Sequence, residues 1–320
     1  MNNFALAAIV LVIENFVGYP LALQKLIGHP VQWIGRLISF IDNSLNDPDV
    51  DPAQNRRHGI LAVILLCAAV GIPALLISKI MMQFDYGWTL NVIIATAFIA
   101  QKSLRDHVRG VDIALGRSLG EGRKAVAKIV GRDPHQLDQN GVAKAALESL
   151  AENTADGITS PILWYAVLGL PGLIIYKAIN TADSMIGHKS RKYLHFGWAA
   201  ARLDDLVNWP ASRLTGLMFA GAALITSRSD ARNALHAMWR DAGHHQSPNA
   251  GWPEASMAGA LDARFGGPRQ YDGQTVDLPY MGQGTRDITP EDIARGLELY
   301  DRALILLLVF TVLLAMALST

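Results

Sequence analysis

The apolar residues of the chain gather into long runs instead of recurring at the period of an amphipathic helix or strand. The clearest runs cover 59–77 and 303–318. Six stretches approach the roughly 20 residues that a membrane-spanning helix needs, namely 4–23, 59–82, 88–103, 158–178, 211–226 and 303–319. The pattern predicts an all-α integral membrane protein with four to six membrane helices.

The fourth stretch, 158–178, is the weakest candidate for a simple span. Pro161, Gly169, Pro171 and Gly172 interrupt it. If all six stretches crossed the membrane, lysines and arginines would be spread over both faces, against the positive-inside bias. The fourth stretch is therefore predicted to be re-entrant and to fold back at 169–172.

Two polar regions separate the apolar stretches, and the whole of 1–320 is predicted to be a single membrane domain. Leu, Val, Ile and Ala recur at helical spacing over about 104–152, which predicts a helical hairpin outside the membrane with a break at 131–134. The region of about 243–288 is rich in Gly and Pro and predicts an ordered loop. Within it, Asp272-Gly273 is typical of a tight hairpin turn. Thr289-Pro290 is typical of a helix start.

The composition fits this setting and excludes other classes of protein. Only 18% of the 320 residues are charged, against roughly a quarter in an average soluble domain. Lys+Arg and Asp+Glu both number 28, so the chain lacks the excess of basic residues that nucleic-acid binding needs. A single cysteine, Cys67, excludes a disulfide within the chain and a multi-cysteine metal site.

A short duplication brackets the broken stretch. Asn153-Thr-Ala-Asp156 recurs as Asn180-Thr-Ala-Asp183. A straight helix between the copies would rise about 30 Å and separate them across the membrane. A hairpin instead predicts that both copies lie at one membrane face, around a polar cavity.

Acidic residues lead into the first copy. Glu148, Glu152 and Asp156 follow one another at four-residue steps and share a face if one helix continues. Carboxylates this close repel, and a divalent cation such as Mg²⁺, held together with substrate phosphates, would relieve the repulsion. A solvated helix face, with Lys144 paired to Glu148, would produce the same pattern.

Cationic and amide residues surround the second copy. The run Ser184, His188, Lys189, Arg191 and Lys192 suits a phosphorylated ligand, although a basic run flanking a membrane segment looks the same. Asp204 and Asn208 share a helical face and form a candidate second acidic wall.

The segment Ser247-Pro-Asn-Ala-Gly-Trp-Pro-Glu254 offers an amide, an indole and a carboxylate on a backbone shaped by Gly and Pro. Such a loop would grip a planar ligand. An ordinary connector anchored by Trp252 is the alternative. The chain contains no P-loop, His-Glu-x-x-His or Gly-x-Ser-x-Gly motif, so any nucleotide chemistry uses a different kind of site.

Five segments together resemble the CobD/CbiB family of cobalamin biosynthesis. They are His29-Pro-Val-Gln-Trp-Ile-Gly-Arg36, Glu148-Ser-Leu-Ala-Glu-Asn-Thr-Ala-Asp-Gly157, Ala178-Ile-Asn-Thr-Ala-Asp-Ser-Met-Ile-Gly-His188, Phe196-Gly-Trp-Ala-Ala-Ala-Arg-Leu-Asp-Asp205 and Ser247-Pro-Asn-Ala-Gly-Trp-Pro-Glu254. The resemblance covers nearly the whole chain and keeps the family's order. One departure is Tyr19, where many members carry Asp between Gly and Pro.

The resemblance implies an ATP-dependent, Mg²⁺-dependent amide ligase at the cytoplasmic (inner) membrane. Such an enzyme joins aminopropanol phosphate to the f-side carboxylate of adenosylcobyric acid and gives adenosylcobinamide phosphate. Other cobalamin-pathway enzymes or further copies of the chain are candidate partners.

The resemblance also implies site residues. The catalytic set is Glu152, Asp156, Asp183, Asp204 and Asp205, of which Glu152, Asp156 and Asp183 are the expected metal ligands. The expected ATP and phosphate contacts are Asn153, Asn180, Ser184, His188, Lys189 and Arg202. The expected substrate contacts are His29, Arg36, Asn208, Ser247, Asn249, Trp252 and Glu254.

Two other classes of protein compete with the ligase. A transporter of a polar or phosphorylated solute would place its site at a broken helix such as 158–178. A structural or regulatory membrane protein would keep the fold without activity.

Overall fold

The computed structural model describes residues 1–131, 133–271, 274–276, 279–284 and 288–319. The chain divides into two compact units. The first comprises Met1–Ala100, Ser160–Asn208 and Thr311–Thr320, and the second comprises Gln101–Thr159 and Trp209–Phe310. Most described residues are helical, which confirms the all-α class. The single membrane domain over 1–320 stays a prediction.

The α-helices are α1 (Asn3–Val17), α2 (Leu21–Ile27), α3 (Pro30–Leu45), α4 (Pro52–Met81), α5 (Gly87–Thr96), α6 (Gln101–Leu115), α7 (Leu119–Val126), α8 (Gln139–Thr154), α9 (Ser160–Ile186), α10 (Trp198–Ala223), α11 (Ala231–Asp241), α12 (Gly251–Ala260) and α13 (Glu291–Ala317). A π-helical turn (Ala155–Thr159) joins α8 to α9, and a 3₁₀ turn (Ala242–His244) follows α11. The strands are β1 (Phe265–Gly266), β2 (Arg269–Tyr271), β3 (Gln274–Val276) and β4 (Tyr280–Met281).

Three helical runs are long and apolar enough to cross a membrane, and a bent fourth would count if its two halves form one span. They are Pro52–Met81, Gln139–Ile186 and Glu291–Ala317, with the bent pair Asn3–Val17 and Ala22–Leu45. The described residues thus meet only the lower end of the predicted four to six spans. The apolar helices fit the membrane setting.

Two of the six predicted stretches do not form the expected helices. The stretch 4–23 is broken, because α1 ends at Gly18, whose φ of +61° a glycine tolerates best, and Pro20 follows. In the stretch 88–103, α5 ends at Thr96 and α6 begins at Gln101, and the ten residues of α5 rise about 15 Å and are too short to span.

In the first unit, α9 folds back on itself as predicted. Ser160 Oγ and Tyr176 OH both donate to the same atom, Asn208 Oδ1, at 2.5 and 2.8 Å. A straight helix would hold residues 16 positions apart at about 24 Å, too far for one oxygen to receive both bonds. The turn lies at Gly169, where φ is +66° and ψ is −158°. The predicted fold-back at 169–172 is confirmed.

The second unit corrects the predicted hairpin over 104–152. The chain breaks between α7 and α8 near 131–134, as expected, but it also breaks between α6 and α7, where Ser118 caps α7 by accepting from the Glu121 N–H. The region holds three helices rather than two. The second break was missed because Gly116 alone is a weak stop signal inside an otherwise periodic pattern.

The Gly/Pro-rich region is more ordered than a loop. Its Gly251–Ala260 segment forms α12, which is buried almost throughout and packs on α11 and α8. Tyr271 pairs with Gln274 in the ladder of β2 and β3, as a two-residue hairpin requires, although Asp272 and Gly273 themselves lie outside the described residues. The Thr289 N–H and hydroxyl donate to the Asp292 carboxylate, and α13 begins at Glu291 directly after Pro290, so the predicted helix start is confirmed.

Candidate active site

The second arm of α9 and the start of α10 form a polar cluster in the first unit, called here the aspartate cluster: Lys177, Asn180, Asp183, Asp204 and Asp205. Asn180 Nδ2 donates to Asp204 Oδ1 at 3.3 Å, and Lys177 Nζ donates to Asn180 Oδ1 at 3.3 Å. The Asp183 charge acts directly on Asp204. The second copy of the duplicated motif therefore meets the predicted acidic wall on α10.

Asp204 is the most strongly perturbed acid of the cluster. Burial, which leaves the residue 8% exposed, is the largest cause, and the neighbouring charge of Asp183 adds to it. Hydrogen bonds from Asn180 and Asn208 oppose both effects, and the pKa of Asp204 is raised to about 7. Asp204 thus exchanges a proton near neutral pH and favours a nearby cation.

Asp205 is half-buried and lies among cations. Burial raises its pKa, whereas the charges of Arg202 and Lys189 lower it. Arg202 Nη1 lies 3.5 Å from Asp205 Oδ2. Two of the predicted phosphate contacts are therefore beside one of the predicted catalytic acids.

The basic run after α9 has divided roles. Lys192 Nζ donates to Asp42 at 2.7 Å, and Tyr193 OH donates to the same carboxylate oxygen at 3.1 Å. Asp42 is buried, so this contact ties the loop to α3. Arg191 is largely exposed and lies 3.8 Å from Asp49. Lys192 is thus a structural cation, whereas Lys189 faces the cluster.

The end of α9 leaves no room beside Asp183. A Cβ at Gly187 would lie within 2.0 Å of Asp183 Oδ1 and 2.6 Å of the Asp183 carbonyl oxygen. Of the other residues expected to contact phosphate in this region, Ser184 is exposed and donates its hydroxyl to the Asn180 carbonyl, and His188 is exposed. Their roles stay predictions.

Three expected substrate contacts lie in the first unit, and two of them have structural partners. Asn208 is buried and receives the hydroxyls of Ser160 and Tyr176. His29 caps α3 by accepting from the Val31 N–H, and its ring lies 4.5 Å from that of Tyr19. Arg36 is exposed on α3. Asn208 and His29 contribute to the fold, and the contacts of all three residues with substrate stay predictions.

The first copy of the duplicated motif lies in the second unit, where the α-helical register changes. Glu148 and Glu152 lie on α8 and line one cavity. Asp156 lies in the π turn that follows, so the three acids do not continue on one α-helical face as expected. Asn153 Nδ2 donates to the Ser149 carbonyl and hydroxyl. Single π turns are frequent at functional sites.

The cavity that Glu148 and Glu152 line has a volume of about 310 Å³. Glu254, on α12, also lines it and is 2% exposed. His245 Nε2 lies 3.6 Å from Glu254 Oε1. The Gly266 N–H donates to Glu148 Oε1 at 2.7 Å. This group of residues is called the glutamate cavity below.

The segment 247–254 does not form the predicted open loop. Its last four residues begin α12, and Ser247 Oγ accepts from the backbone N–H groups of Asn249 and Ala250. Asn249 is buried, and its amide oxygen accepts from Ser212 and Arg213.

Trp252 belongs to an aromatic group in the second unit. The Arg213 guanidinium lies 4.4 Å from the ring centroid of Trp252 and 4.5 Å from that of Trp209, with Trp239 edge-on to Trp252. Trp209 and Trp239 are more exposed than Trp252. The guanidinium covers one face of Trp252. This leaves less of the indole surface for the planar ligand that the sequence predicts to bind there.

Sequence reasoning missed Lys177, His245 and Arg213. Lys177 was recognisable, because it precedes Asn180 by three positions and so shares its helical face. Arg213 follows Trp209 by four positions on α10, which is also a helical neighbour. The approach of His245 to Glu254 depends on the turn before α12, and no local pattern predicts it.

The donor set of the aspartate cluster fits Mg²⁺. Carboxylate and amide oxygens are the ligands that this ion takes, and repulsion between Asp183 and Asp204 is the kind that a cation relieves. Across the part of the chain that the structure describes, no three or more His, Cys, Asp or Glu side chains form a ready metal cage. Mg²⁺ held by one or two carboxylates together with phosphates needs no such cage.

Comparison with known proteins decides the family. The family model described as CobD/Cbib protein matches residues 7–300. The chain belongs to the CobD/CbiB family. The predicted resemblance is confirmed, and membership supports a role in cobalamin (vitamin B12) synthesis.

Curated relatives named cobalamin biosynthesis protein CobD match nearly the whole chain. The relative from a Sinorhizobium species is 48% identical over 97% of both chains. That from Rhodobacter capsulatus is 46% identical over 95% of both. The relative from Brucella suis is 46% identical over 92% of this chain and 91% of its own. No solved structure matches the chain.

Proposed function

We propose that the protein is the amide ligase of cobalamin synthesis that attaches aminopropanol phosphate to the f-side carboxylate of adenosylcobyric acid. The observation that carries the proposal is the pairing of Asp183 with buried Asp204 beside Arg202 and Lys189. The paired acids are stabilised when a cation binds, and the neighbouring Lys and Arg side chains can bind phosphate oxygens. Together they form a suitable site for Mg²⁺ and ATP.

The chemistry explains why ATP is needed. A carboxylate does not react directly with an amine, because its oxygen is a poor leaving group. In the proposed reaction the substrate carboxylate takes the terminal phosphoryl group of ATP and releases ADP. The amine nitrogen then bonds to the acyl carbon, phosphate leaves, and the nitrogen loses a proton to a base.

In the proposal, residues in and beside the aspartate cluster bind the metal, bind phosphate oxygens and accept the proton. Asn180 and Asp183 hold Mg²⁺ with ATP, and Lys189 and Arg202 neutralise phosphate oxygens. Asp204 accepts the amine proton, since a pKa of about 7 suits a base at neutral pH. Bound Mg²⁺ would withdraw charge from the phosphoryl group. The metal role of Glu152 and Asp156 and the ATP contact of Asn153 stay predictions.

The corrinoid would meet the aromatic group around Arg213 in this proposal. Trp209 and Trp239 offer exposed indoles to a flat macrocycle, and Arg213 lies over one face of Trp209. A large amphipathic substrate also explains a membrane-bound ligase, which we place in the cytoplasmic membrane. Other pathway enzymes or a second copy of the chain are its proposed partners.

Reconstitution tests the reaction. Purified protein in detergent is incubated with ATP, MgCl₂, adenosylcobyric acid and aminopropanol phosphate, and the products are separated by mass. The expected product is adenosylcobinamide phosphate, formed with one ADP per amide and absent when ATP or Mg²⁺ is omitted. Folded protein that forms no amide under these conditions would contradict the proposal.

A transporter is the second candidate, because α9 folds back at Gly169 as broken transporter helices do. Only three or four candidate spans among the described residues argue against a pair of alternating-access repeats. Uptake of labelled aminopropanol phosphate into proteoliposomes, without ATP or corrinoid, would favour transport over ligation.

A further inference from the structure

A buried hydrogen-bond network in the first unit joins the two arms of α9 to α10. Ser160 and Tyr176, one on each arm, donate their hydroxyls to Asn208 Oδ1 at 2.5 and 2.8 Å. All three residues are at most 1% exposed. Asn208 lies one helical turn after Asp204 on α10. The network therefore connects the folded-back helix to the acid that the proposed function uses as a base.

The two hydroxyls determine which way the Asn208 amide points. An amide oxygen has two acceptor sites, and the hydroxyls of Ser160 and Tyr176 fill both. If the amide turned over, its oxygen would face the Asp204 carboxylate, which repels another acceptor when it is ionised. The network thus directs the NH₂ group of Asn208 toward Asp204.

That NH₂ group has one acceptor to serve. Asn208 acts on Asp204 as a hydrogen-bond donor, and across the part of the chain that the structure describes Nδ2 meets no other acceptor. A buried donor without an acceptor is unfavourable, so the amide favours a carboxylate that faces it. Asn180 Nδ2, on α9, donates to Asp204 Oδ1 at 3.3 Å. Amides from two helices therefore hold this carboxylate.

We infer that Ser160 and Tyr176 are positioning residues of the ligase. Through Asn208 they hold the Asp204 carboxylate in the orientation in which it accepts the proton of the substrate amine. Neither hydroxyl touches the substrate in this assignment. The use of Asp204 as the base rests on the proposed function, whereas the link from the hydroxyls to Asp204 can be measured without substrate.

Turnover of matched tyrosine variants tests the inference. Tyr165→Phe is the control for Tyr176→Phe, because Tyr165 is equally buried on α9 and its hydroxyl donates to the amide oxygen of another buried residue, Asn91, at 2.7 Å. Misplacing a catalytic group by about 1 Å lowers rates up to roughly 100-fold, and Tyr176→Phe should lower kcat roughly tenfold. The KM for ATP should not change, since the proposed ATP contacts are other residues. Tyr165→Phe should leave both constants near their wild-type values.

Ser160→Ala is the second variant of the network. It removes the other hydroxyl that holds the Asn208 amide, so it should also lower kcat without changing the KM for ATP. It takes the place of Tyr176→Phe if the tyrosine variant does not fold in detergent.

Melting temperatures in detergent test the same link without substrate, ATP or Mg²⁺. Each Tyr→Phe substitution removes one buried hydrogen bond and should lower the melting temperature by about 2 °C. In an Asp204→Asn background the loss from Tyr176→Phe should shrink by about half or more, because the carboxylate that repels a turned Asn208 amide is gone and the introduced amide can donate to it. The loss from Tyr165→Phe should be the same in both backgrounds.

Three results would overturn the inference. The network variants could turn over like Tyr165→Phe, both tyrosine variants could lose kcat equally, or the melting loss from Tyr176→Phe could be the same with and without the Asp204 carboxylate. If the wild type forms no amide, the proposed function fails, and the melting comparison alone decides whether the network holds Asp204. If the wild type ligates and the network variants do so equally well, the proposed function stands and the positioning role is lost.

Discussion

The aspartate cluster and the glutamate cavity both concentrate acids, but they stabilise them differently. In the cluster, Asp204 is buried near the charge of Asp183, and its pKa rises to about 7. In the cavity, Glu148 accepts a backbone N–H, and Glu254 faces the imidazole of His245. The cluster places two acids so that one charge raises the pKa of the other, whereas the cavity, over its described residues, places a backbone N–H beside one acid and an imidazole beside another.

This difference separates two kinds of ligand. An acid whose pKa is raised by a neighbouring charge, as that of Asp204 is by Asp183, gains most from a divalent cation, which lowers the repulsion when it binds. Acids already held by donors keep their shape without a ligand and can select one by size and charge. The comparison therefore supports the cluster as the site of metal and phosphate in the proposed function.

Removing an acid from the cluster should have the largest effect. Asp183→Asn keeps the side-chain volume but removes a charge that Mg²⁺ would need, so turnover should fall roughly 100-fold or more. Asp156→Asn lies outside the cluster and tests the metal role that the resemblance implies for the first copy of the motif, which predicts a similar loss. Rates are measured by amide formation with both substrates saturating.

Asp49→Asn is the matched control for these variants. Asp49 is highly exposed and contacts only Arg191 among its resolved ion pairs, so the rate should stay near that of the wild type. Near-normal rates in both Asp183→Asn and Asp156→Asn would remove the metal-site assignment and reduce the contrast between the two regions.

Crowding Asp183 should have the next largest effect. The new methyl group of Gly187→Ala would lie within 2.0 Å of Asp183 Oδ1, so the carboxylate must move. Misplacing one catalytic group by about 1 Å lowers rates by up to roughly 100-fold, and we expect a loss of about tenfold for this variant. Turnover and thermal stability are measured together to separate the two causes.

Gly110→Ala controls for the added methyl group. A Cβ at Gly110, inside α6, meets nothing within 4 Å, so turnover should not change and stability should rise slightly. Equal losses of turnover in both glycine variants would show that the position of the Asp183 carboxylate does not limit the reaction.

The sequence predicts most residues of the aspartate cluster and the fold-back of α9. The family motifs identify Asn180, Asp183, Asp204 and Asp205, and helical spacing explains their meeting, because α9 and α10 each place residues three or four apart on one face. The fold-back at Gly169 was also predictable, since Gly and Pro cluster there and few other residues tolerate a φ of +66°.

Other parts depend on information that local patterns do not carry. The helix formed by 251–260 was missed because Gly, Pro and Trp are weak helix formers, yet burial stabilises α12. The π turn at 155–159 follows no composition rule, and it moved Asp156 out of the expected register. Long-range meetings such as that of Lys192 with Asp42 require the tertiary fold.

The pH dependence of the cluster should be smaller but distinctive. A folded-state pKa of about 7 for Asp204 lies above the ordinary aspartate value of 3.8, so burial favours the protonated form. This contribution to stability is fully present below about pH 4 and is lost as the pH rises through about 7. Asp204→Asn should flatten stability over this range, as measured by denaturant unfolding at several pH values.

The pH dependence of Mg²⁺ binding is a second test of the role of Asp204. Because a cation near Asp204 favours its ionised form, the affinity for Mg²⁺ should rise with pH up to about 7 in the wild type and lose most of this dependence in Asp204→Asn. An unchanged pH profile in the variant would assign the proton to another group and contradict the role of Asp204 as the perturbed acid.

The smallest expected effect concerns the basic run beside the cluster, where structural and functional cations lie close together. Lys192→Ala removes one of the partners of buried Asp42 but leaves Tyr193 and Asn46 donating to it. Since Lys192 is itself half exposed, the free energy of unfolding should fall by only about 1 kcal/mol. Thermal melts in detergent measure the change.

Arg191→Ala is the control for Lys192→Ala. Arg191 is 92% exposed and its contact with Asp49 spans 3.8 Å, so its removal should leave the melting temperature unchanged. Lys189→Ala should also melt normally but slow turnover, because Lys189 acts on Asp205 and not on Asp42. If all three variants lowered stability equally, the run would be a membrane-flanking segment with no division between anchoring and phosphate binding.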